Sequence, residues 1–532
     1  MLRYWYTISF YYLTSIISMF TQTCSHCQSS FEITQWDMDF YTKVSPKFGE
    51  QRFQIPTPTL CPDCRQRRRM AFRNERALYR RICDANKQPI ISIYSPDKPY
   101  KVYDQKIRRS DGRDPMSYGR DFDFSKSFRV NIQELLLCVP KKWLVSEYNE
   151  NCTYTNICWY CKDCYLISAS EKSEKCCYWN ILQDSNNIVD GSFIYNSSHI
   201  YNSINCHHCF NSQYIVNCKQ CSDCIECYNL IWCSFCYQCY DLQNQQYCIN
   251  NIVYSKEEYM QKLWIINIQH DVSLLTNLMK KSSHTIYEWY NNEHISWKYI
   301  NNSKDVYNSI DIEKGEKISH SQIIVEGVNL YDCTNVYIAN EMSLEIMSAL
   351  SSKFNLCSGF IYNCSHCLYS INLNDSQYCF WCDGLRNKSY CIFNKQYTKE
   401  EYEKTVAKII AHMIETKERG EFFHPSLSPF WYNETVAQEY YPTQKWELSE
   451  FGYQRSDYQA PAPVAENIIS ADELPDIDTV WDDILQKAIR CEATGKLFRL
   501  QRMELEFYRK HNIPLPRRHP DQRHLDRIVL RK

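Results

Sequence analysis

One block of this chain is written twice. Cys239, Leu242, Asn244, Tyr247, Cys248, Ile249, Asn251, Tyr254 and Lys256 to Tyr259 recur 143 residues later as Cys382, Leu385, Asn387, Tyr390, Cys391, Ile392, Asn394, Tyr397 and Lys399 to Tyr402. Upstream, Cys221, Cys224 and Cys236 match Cys364, Cys367 and Cys379 at the same offset. A duplicated block constrains the fold more than composition does, because both copies must bury equivalent surfaces in equivalent ways. Each copy then enters a helix through a capping box, Ser255 with Glu258 and Thr398 with Glu401.

Inside the first copy, Cys152, Cys164 and Cys177 recur at steps of 12 and 13, continued by Val189 and Tyr201; Cys209, Cys218, Cys227 and Cys236 then recur at steps of nine. An aromatic residue often follows the cysteine, as in Cys164-Tyr165 and Cys236-Tyr237. A short, near-regular period without helical apolar spacing predicts a β-solenoid with cysteine stacked inside. The rival reading is a multi-metal or redox-handling site, because Cys158-x2-Cys161-x2-Cys164, Cys218 to Cys227 and Cys233 to Cys239 have knuckle-like or iron–sulfur-like spacing. No Gly or Pro shapes these runs, and the second copy puts Ile361, Ser370 and Ser376 in place of Cys218, Cys227 and Cys233. A shared cluster would not tolerate that; a packed interior tolerates Ile better than Ser. His207, His208 and His366 are expected as exposed loop residues.

The second duplication joins the ends. Cys24, Phe31 and Phe40-Tyr41 have counterparts in Cys491, Phe498 and Phe507-Tyr508, and Cys61-Pro-Asp-Cys64-Arg65 lines up with His519-Pro-Asp-Gln522-Arg523. In the first copy, Cys24, Cys27, Cys61 and Cys64 form two C-x-x-C pairs. Such pairs let four thiolates meet tetrahedrally around one zinc at about 2.3 Å, a closed structural site. Pro62 suits the first turn of a helix running RQRRRMAFRNERALYRRI. This layout is treble-clef-like. Together with DMDFY, IPTPTL and the basic run after CPDC, it resembles the small probable zinc-ribbon module. In the C-terminal copy Thr494 and Gln522 are poor ligands. Only Cys491 and His519 could bind a second metal, so this copy is expected to be metal-free and held by Phe498, Phe507 and Tyr508. More loosely, the whole chain resembles Cys/Tyr-rich proteins of small-genome candidate-phylum bacteria, which implies no activity.

Net charge is -2, so any nucleic-acid signal must be local. Arg65, Arg69, Arg73, Arg76 and Arg80 are spaced for one helical face. Such a stripe beside a zinc ribbon suits phosphate contact; the alternative is a face that pairs with carboxylates elsewhere in the chain. The C-terminal copy is basic too, through Arg499, Arg502, Arg509, Arg517, Arg518, Arg523 and Arg527.

Thirty cysteines in C-x-x-C runs favour reduced thiols and a cytoplasmic setting. Tyr4 to Phe20 resembles a signal-peptide core but has no matching cleavage site, and translation from Met19 would remove it. With 11 glycines, left-handed turns are expected to fall to asparagine. No phosphate loop, nucleophile elbow or H-E-x-x-H is present, and Asp111, Asp114, Asp121 and Asp123 read as turns.

The expected architecture is a mixed α+β multidomain chain. It comprises a dispensable extension (1–18), a zinc ribbon with basic helix (19–82), a mixed linker domain (83–149), two Cys/Tyr-rich β-solenoid-like copies each with a capping helix (150–285 and 286–417), a linker (418–480) and a degenerate ribbon (481–532). The expected function is a non-enzymatic scaffold or adaptor with one structural zinc that binds RNA through its arginine faces. The alternative partner is another protein, and no membrane is expected.

Overall fold

Three residues set the repeat of the core. From Tyr148 to Asn250, every third residue has a left-handed backbone, with φ between 44° and 64°. The residue after each one turns inward, so Cys158, Cys161, Cys164, Ile167, Ser170, Ser173 and Cys176 are all buried. Four triplets close one coil. Strand partners are therefore parallel and 12 residues apart: Cys176 beside Ile188, Ile188 beside Ile200, Ile194 beside Cys206, and Cys206 beside Cys218.

The computed structural model describes residues 20–530 apart from 110–113, 267–271, 283–292, 297–302, 308–309, 313–314, 317–321, 325–326, 329, 335–340, 459 and 462–463. The extension 1–18 and Asp111 lie outside the described residues. The second solenoid follows the same rule from Met342 to Phe393. One coil before it carries one extra residue, since Tyr331 pairs with Leu344 while Glu341 pairs with Lys353. The two solenoids together make about 16 turns.

A left-handed non-glycine residue costs about 1 kcal/mol, and even Ile157, Ile181 and Phe193 adopt it here. The return is that all four sides of each coil bond to the next. The left-handed amides of Asp163 and Trp232 each reach a carbonyl of the preceding coil, Glu150 and Lys219, at 2.9 Å. Asn and Asp suit these corners, and they bridge coils: Asn151 to Asp163 at 3.1 Å, Asn211 to Asp223 at 2.7 Å, Asn363 to Asp375 at 2.8 Å. The abundant asparagine works at these corners, but Tyr, Phe, His and Ile share them. The outer faces also stack rings, as in Phe354, His366, Tyr378 and Tyr390 at 4.7–5.1 Å. His366, expected as a loop residue, is part of that stack, and His207 stacks on Tyr195 at 4.6 Å.

Inside, Cys and Ser do the same job. Cys158 and Cys164 donate their thiols to the carbonyl two residues back at 3.3 and 3.2 Å; Ser170 and Ser203 donate their hydroxyls likewise at 2.9 and 2.7 Å. Ser370 bonds to the Leu368 carbonyl and accepts the Cys382 amide, both at 3.1 Å. The expectation that the interior tolerates Ile better than Ser is therefore corrected: Ser satisfies the same backbone groups as Cys. Cys177 is also corrected, because Cys176 is the inward residue and Cys177 faces the C-terminal module.

The flanking elements are built around this core. The N-terminal module has a hairpin, Phe20–Thr23 with Ser30–Ile33, then helices α1 (Gln35–Val44) and α2 (Pro62–Met70). Helix α3 (Phe128–Cys138) packs Phe128 and Ile132 against solenoid 2. Solenoid 1 ends in α4 (Lys256–Ile265) and α5 (Val272–Lys281), and solenoid 2 ends in α6 (Lys399–Glu415). Both expected capping boxes are present. Of the expected linker 418–480, the first part, to Tyr453, instead forms a packed brace that contains α7 (Val436–Tyr440) and buries Phe422, Phe423, Leu427, Phe430 and Tyr432. The C-terminal module repeats the N-terminal order with the hairpin Ala488–Arg490 and Leu497–Phe498, then α8 (Arg502–His511) and α9 (Pro520–Val529).

The docking is crossed. The N-terminal module shares a core with solenoid 2 through Phe40, Tyr41, Tyr331 and Leu344. The C-terminal module shares one with solenoid 1 through Tyr178, Tyr201, Phe507 and Tyr508.

Candidate metal centre and arginine clasps

The tight turn after Phe20–Thr23 places the first cysteine pair. The Cys24 amide bonds to the Ser29 carbonyl at 2.8 Å, and Gln28, at φ 62°, closes the turn onto the Cys24 carbonyl at 3.0 Å. Cys61 is the N-cap of α2, Pro62 opens its first turn, and Cys64 follows within that turn. The Cys61 amide donates to the Cys24 sulfur at 3.3 Å. All four sulfurs lie within 4.8 Å of one another, with Cys27 and Cys61 at 3.6 Å. A tetrahedral zinc with 2.3 Å bonds needs sulfurs about 3.8 Å apart, so the four thiols fit such an ion. Packed together, they perturb one another: the hydrogen bond from Cys64 pulls the Cys61 thiol down to about 4, while Cys64 is pushed up. Among the described residues this is the one group of three or more Cys, His, Asp or Glu that could hold a metal ion.

The solenoid cysteines are arranged differently. In one coil Cys218, Cys221, Cys224 and Cys227 sit on four different sides, each donating to a carbonyl two residues back. Burial pushes the thiols of Cys158, Cys209, Cys218 and Cys227 well up, while hydrogen bonds from neighbouring thiols pull Cys161, Cys221 and Cys239 down.

In the C-terminal module a similar order of elements carries Cys491, Thr494, His519 and Gln522 at the matching positions. Gly495, at φ 68°, takes the place of Gln28 and bonds to the Cys491 carbonyl at 2.9 Å. His519 caps α9 by accepting the Asp521 amide on Nδ1 at 3.2 Å. The expected packing residues Phe498, Phe507 and Tyr508 are all buried.

The arginines do not form the expected solvent-facing stripe. Helix α2 ends at Met70; Arg73 and Arg76 follow in irregular chain, and Arg80 lies in the strand Tyr79–Ile82. Arg65, Arg69 and Arg73 are 2%, 0% and 0% exposed, which places them inside the molecule. Arg65 bonds to Asp332 and lies 3.5 Å from the Tyr41 hydroxyl. Arg69 lies 4.0 Å from Asp332 and 3.9 Å from Glu345. Arg68 bonds Glu345 at 2.9 Å and also Glu421. Arg73 pairs with Glu75, and Arg76 with Asp521 at 3.3 Å. Among the five expected nucleic-acid contacts only Arg80 is exposed.

The C-terminal module repeats this clasp. Arg523 bonds to Asp190 and to the Tyr508 hydroxyl at 3.2 Å; Arg527 bonds to Asp190 at 3.0 Å and Asn202 at 3.1 Å. Arg523 and Arg527 are the counterparts of Arg65 and Arg69, Tyr508 of Tyr41, Asp190 of Asp332, and Asn202 of Glu345. Glu504, between Tyr178 and Tyr508 at 2.9 and 2.7 Å, is raised by burial against the opposing charge of Arg523. The carboxylates Asp190 and Asp332, which decide where the arginines point, were missed in the sequence; both occupy left-handed corners where Asp reads as an ordinary turn residue. The modules meet over α7, where Val436 bonds to the Arg73 carbonyl at 3.0 Å and Glu439 lies 3.1 Å from His524. Among the described residues no helix is long and apolar enough to cross a membrane. No family model, curated protein or solved structure matches the chain.

Proposed function

We propose that this chain is a non-enzymatic scaffold, stabilised by one structural zinc on Cys24, Cys27, Cys61 and Cys64, whose partners are proteins. The observation that carries this reading is the pair of buried arginine clasps. Arg65, Arg69, Arg523 and Arg527 are spent on closing each module over a solenoid, while Arg80, Arg499, Arg502, Arg509, Arg517 and Arg518 stay at the surface, the last four of these paired with Asp482, Glu492 or Asp526. What remains outside is a regularly spaced solenoid surface, the form that repeat proteins use for recognition. The zinc holds the N-terminal ribbon, a treble-clef-like unit, and its four protein ligands leave no open position for chemistry.

Metal content and RNA affinity test the reading together. Protein purified without added metal should carry one zinc per chain and lose it in the Cys61→Ser, Cys64→Ser variant. Titration with single-stranded and duplex RNA should show no binding that weakens steeply with salt. A salt-dependent affinity would restore the nucleic-acid reading, and several metal ions per chain would favour metal handling.

A further inference from the structure

The two solenoids end alike and are finished differently. In each, the last coil turns back as a two-residue strand antiparallel to its neighbour: Ile252–Val253 on Gln246–Ile249 in solenoid 1, and Lys395–Gln396 on Ser389–Ile392 in solenoid 2. Each of these strands is the last in its sheet, and a capping helix follows.

In solenoid 2 this end is charged and polar, and a segment crosses the turn before the strand. Lys395 pairs with Asp121 at 2.7 Å, and Glu403 on α6 accepts the Gly49 amide at 3.3 Å. Residues 115–121 cross the end: the Arg120 amide bonds to the Phe393 carbonyl and the Asn394 side chain to the Pro115 carbonyl, both at 3.1 Å. The approach is so close that a Cβ on Gly119 would lie 2.5 Å from the Asn394 oxygen.

Solenoid 1 has Ile252, Val253, Met260, Trp264 and Ile265 where solenoid 2 has Lys395, Gln396, Glu403, Ala407 and Lys408. These five side chains are 57%, 59%, 43%, 91% and 80% exposed. The backbone and its position are the same, so the fold does not demand apolar residues here.

We propose that this end is a self-association surface: two copies of the chain pair end to end about a two-fold axis, with their Ile252–Val253 strands antiparallel and Trp264 and Ile265 packed across the axis. A bare apolar edge strand is a template for another strand, and native proteins that avoid such pairing place lysine there, as solenoid 2 does with Lys395. Two identical antiparallel strands satisfy a two-fold axis, the commonest symmetry of soluble oligomers. The exposed apolar area is on the order of several hundred Å², a large part of the roughly 800 Å² per partner of a standard interface. The exposed Glu257 and Lys262 on the same helix give the rim both signs of charge, which suits a self-complementary contact. This association is independent of what the scaffold carries.

The test gives solenoid 1 the residues solenoid 2 already uses, Ile252→Lys, Val253→Gln, Met260→Glu, Trp264→Ala and Ile265→Lys, in the full chain. In sedimentation velocity at tens of micromolar, the wild type should run at about twice the 63.7 kDa chain mass and the variant at the single-chain mass. In the wild type, hydrogen exchange of the amides from Asn250 to Tyr254 should slow as concentration rises; this reading needs no variant and decides the matter if the variant fails to fold. A wild type that stays a single chain throughout, concentration-independent exchange, or a folded variant that remains a dimer would overturn the proposal.

Discussion

The half of the molecule built on Cys24 and the half built on Cys491 reach the same arrangement by different means. In both, a hairpin and a capped helix lead to a second helix whose two arginines close on one buried aspartate of a solenoid, with a tyrosine hydroxyl beside them. Four clustered thiols pin the start of that second helix in one half; in the other, His519 caps it and apolar packing holds the rest. The clasp is therefore the shared feature that docks module to solenoid, and the thiol cluster is an addition to one side. The crossing matters as well. Because each module docks on the solenoid farther from it in sequence, the two ends of the chain hold the middle as a closed unit.

Metal removal breaks the comparison most strongly. A structural zinc supplies folding energy outright, so a strong chelator, or Cys61→Ser with Cys64→Ser, should abolish hydrogen-exchange protection over residues 20–70. Residues 488–530 should keep theirs. Equal loss in both modules, or none in either, would mean that the cysteine cluster does not distinguish the halves.

The next effect acts on both halves. Asp190→Ala strands Arg523 and Arg527, and Asp332→Ala strands Arg65 and Arg69, in each case leaving two buried cations without their shared partner. Breaking a buried pair in this way costs about 3–5 kcal/mol, read from denaturant unfolding. A cost below about 1 kcal/mol would show that packing alone docks that module.

Acid sharpens the junction between the halves. His524 is 1% exposed, and burial, followed by the charges of Arg76 and Arg527, holds its pKa well below the ordinary value of 6.5. Asp521, Glu75 and Glu439 also face it and oppose that shift only in part. Burial lowers His511 to about 4 and His207 to about 3 in the same direction. A depressed histidine contributes stability that is present above its unfolded pKa and lost as pH falls through the folded one. Stability should therefore decline from about pH 6.5 downward, with His524 contributing to that decline. His524→Gln should flatten that slope; an unchanged slope would place the acid sensitivity elsewhere.

The solenoid duplication was legible in the sequence because its copies keep their residues at one offset of 143, and the thiol cluster was legible because paired cysteines at knuckle spacing have few other uses. The coil length was only half legible. Steps of 12, 13 and nine are all visible, but the underlying period of three is hidden by chemistry: Cys, Ser, Ile, Leu and Asn all serve at inward positions, and the corners, though Asn is commonest there, also take Tyr and Asp. With adjacent cysteines at Cys176 and Cys177, no local signal says which one turns in. The arginine spacing correctly placed Arg65 and Arg69 together on one face of α2. It could not say that this face points inward, because Asp332 and Glu345 lie more than 250 residues away in sequence. The prolines of 418–480 suggested a linker, and the buried aromatics between them outweigh that signal.

The smallest expected effect separates packing from metal binding inside the solenoids. Cys227 donates its thiol to the Ile225 carbonyl at 3.2 Å and to the Cys236 carbonyl at 3.4 Å. Its counterpart Ser370 donates to Leu368 at 3.1 Å and to Cys379 at 3.4 Å. Cys227→Ser should thus keep both interactions, lose a little packing, and cost about 1 kcal/mol or less, with metal per chain unchanged. Cys227→Ala removes the donor and leaves the two carbonyls short of a partner, so it should cost more than the serine variant, by about 1 kcal/mol. A metal ligand would erase the difference in metal content: serine and alanine would both release an ion, and the mild change would be as damaging as the drastic one. Measuring unfolding and metal content on the same two variants therefore decides whether solenoid 1 stores thiols as core or as ligands.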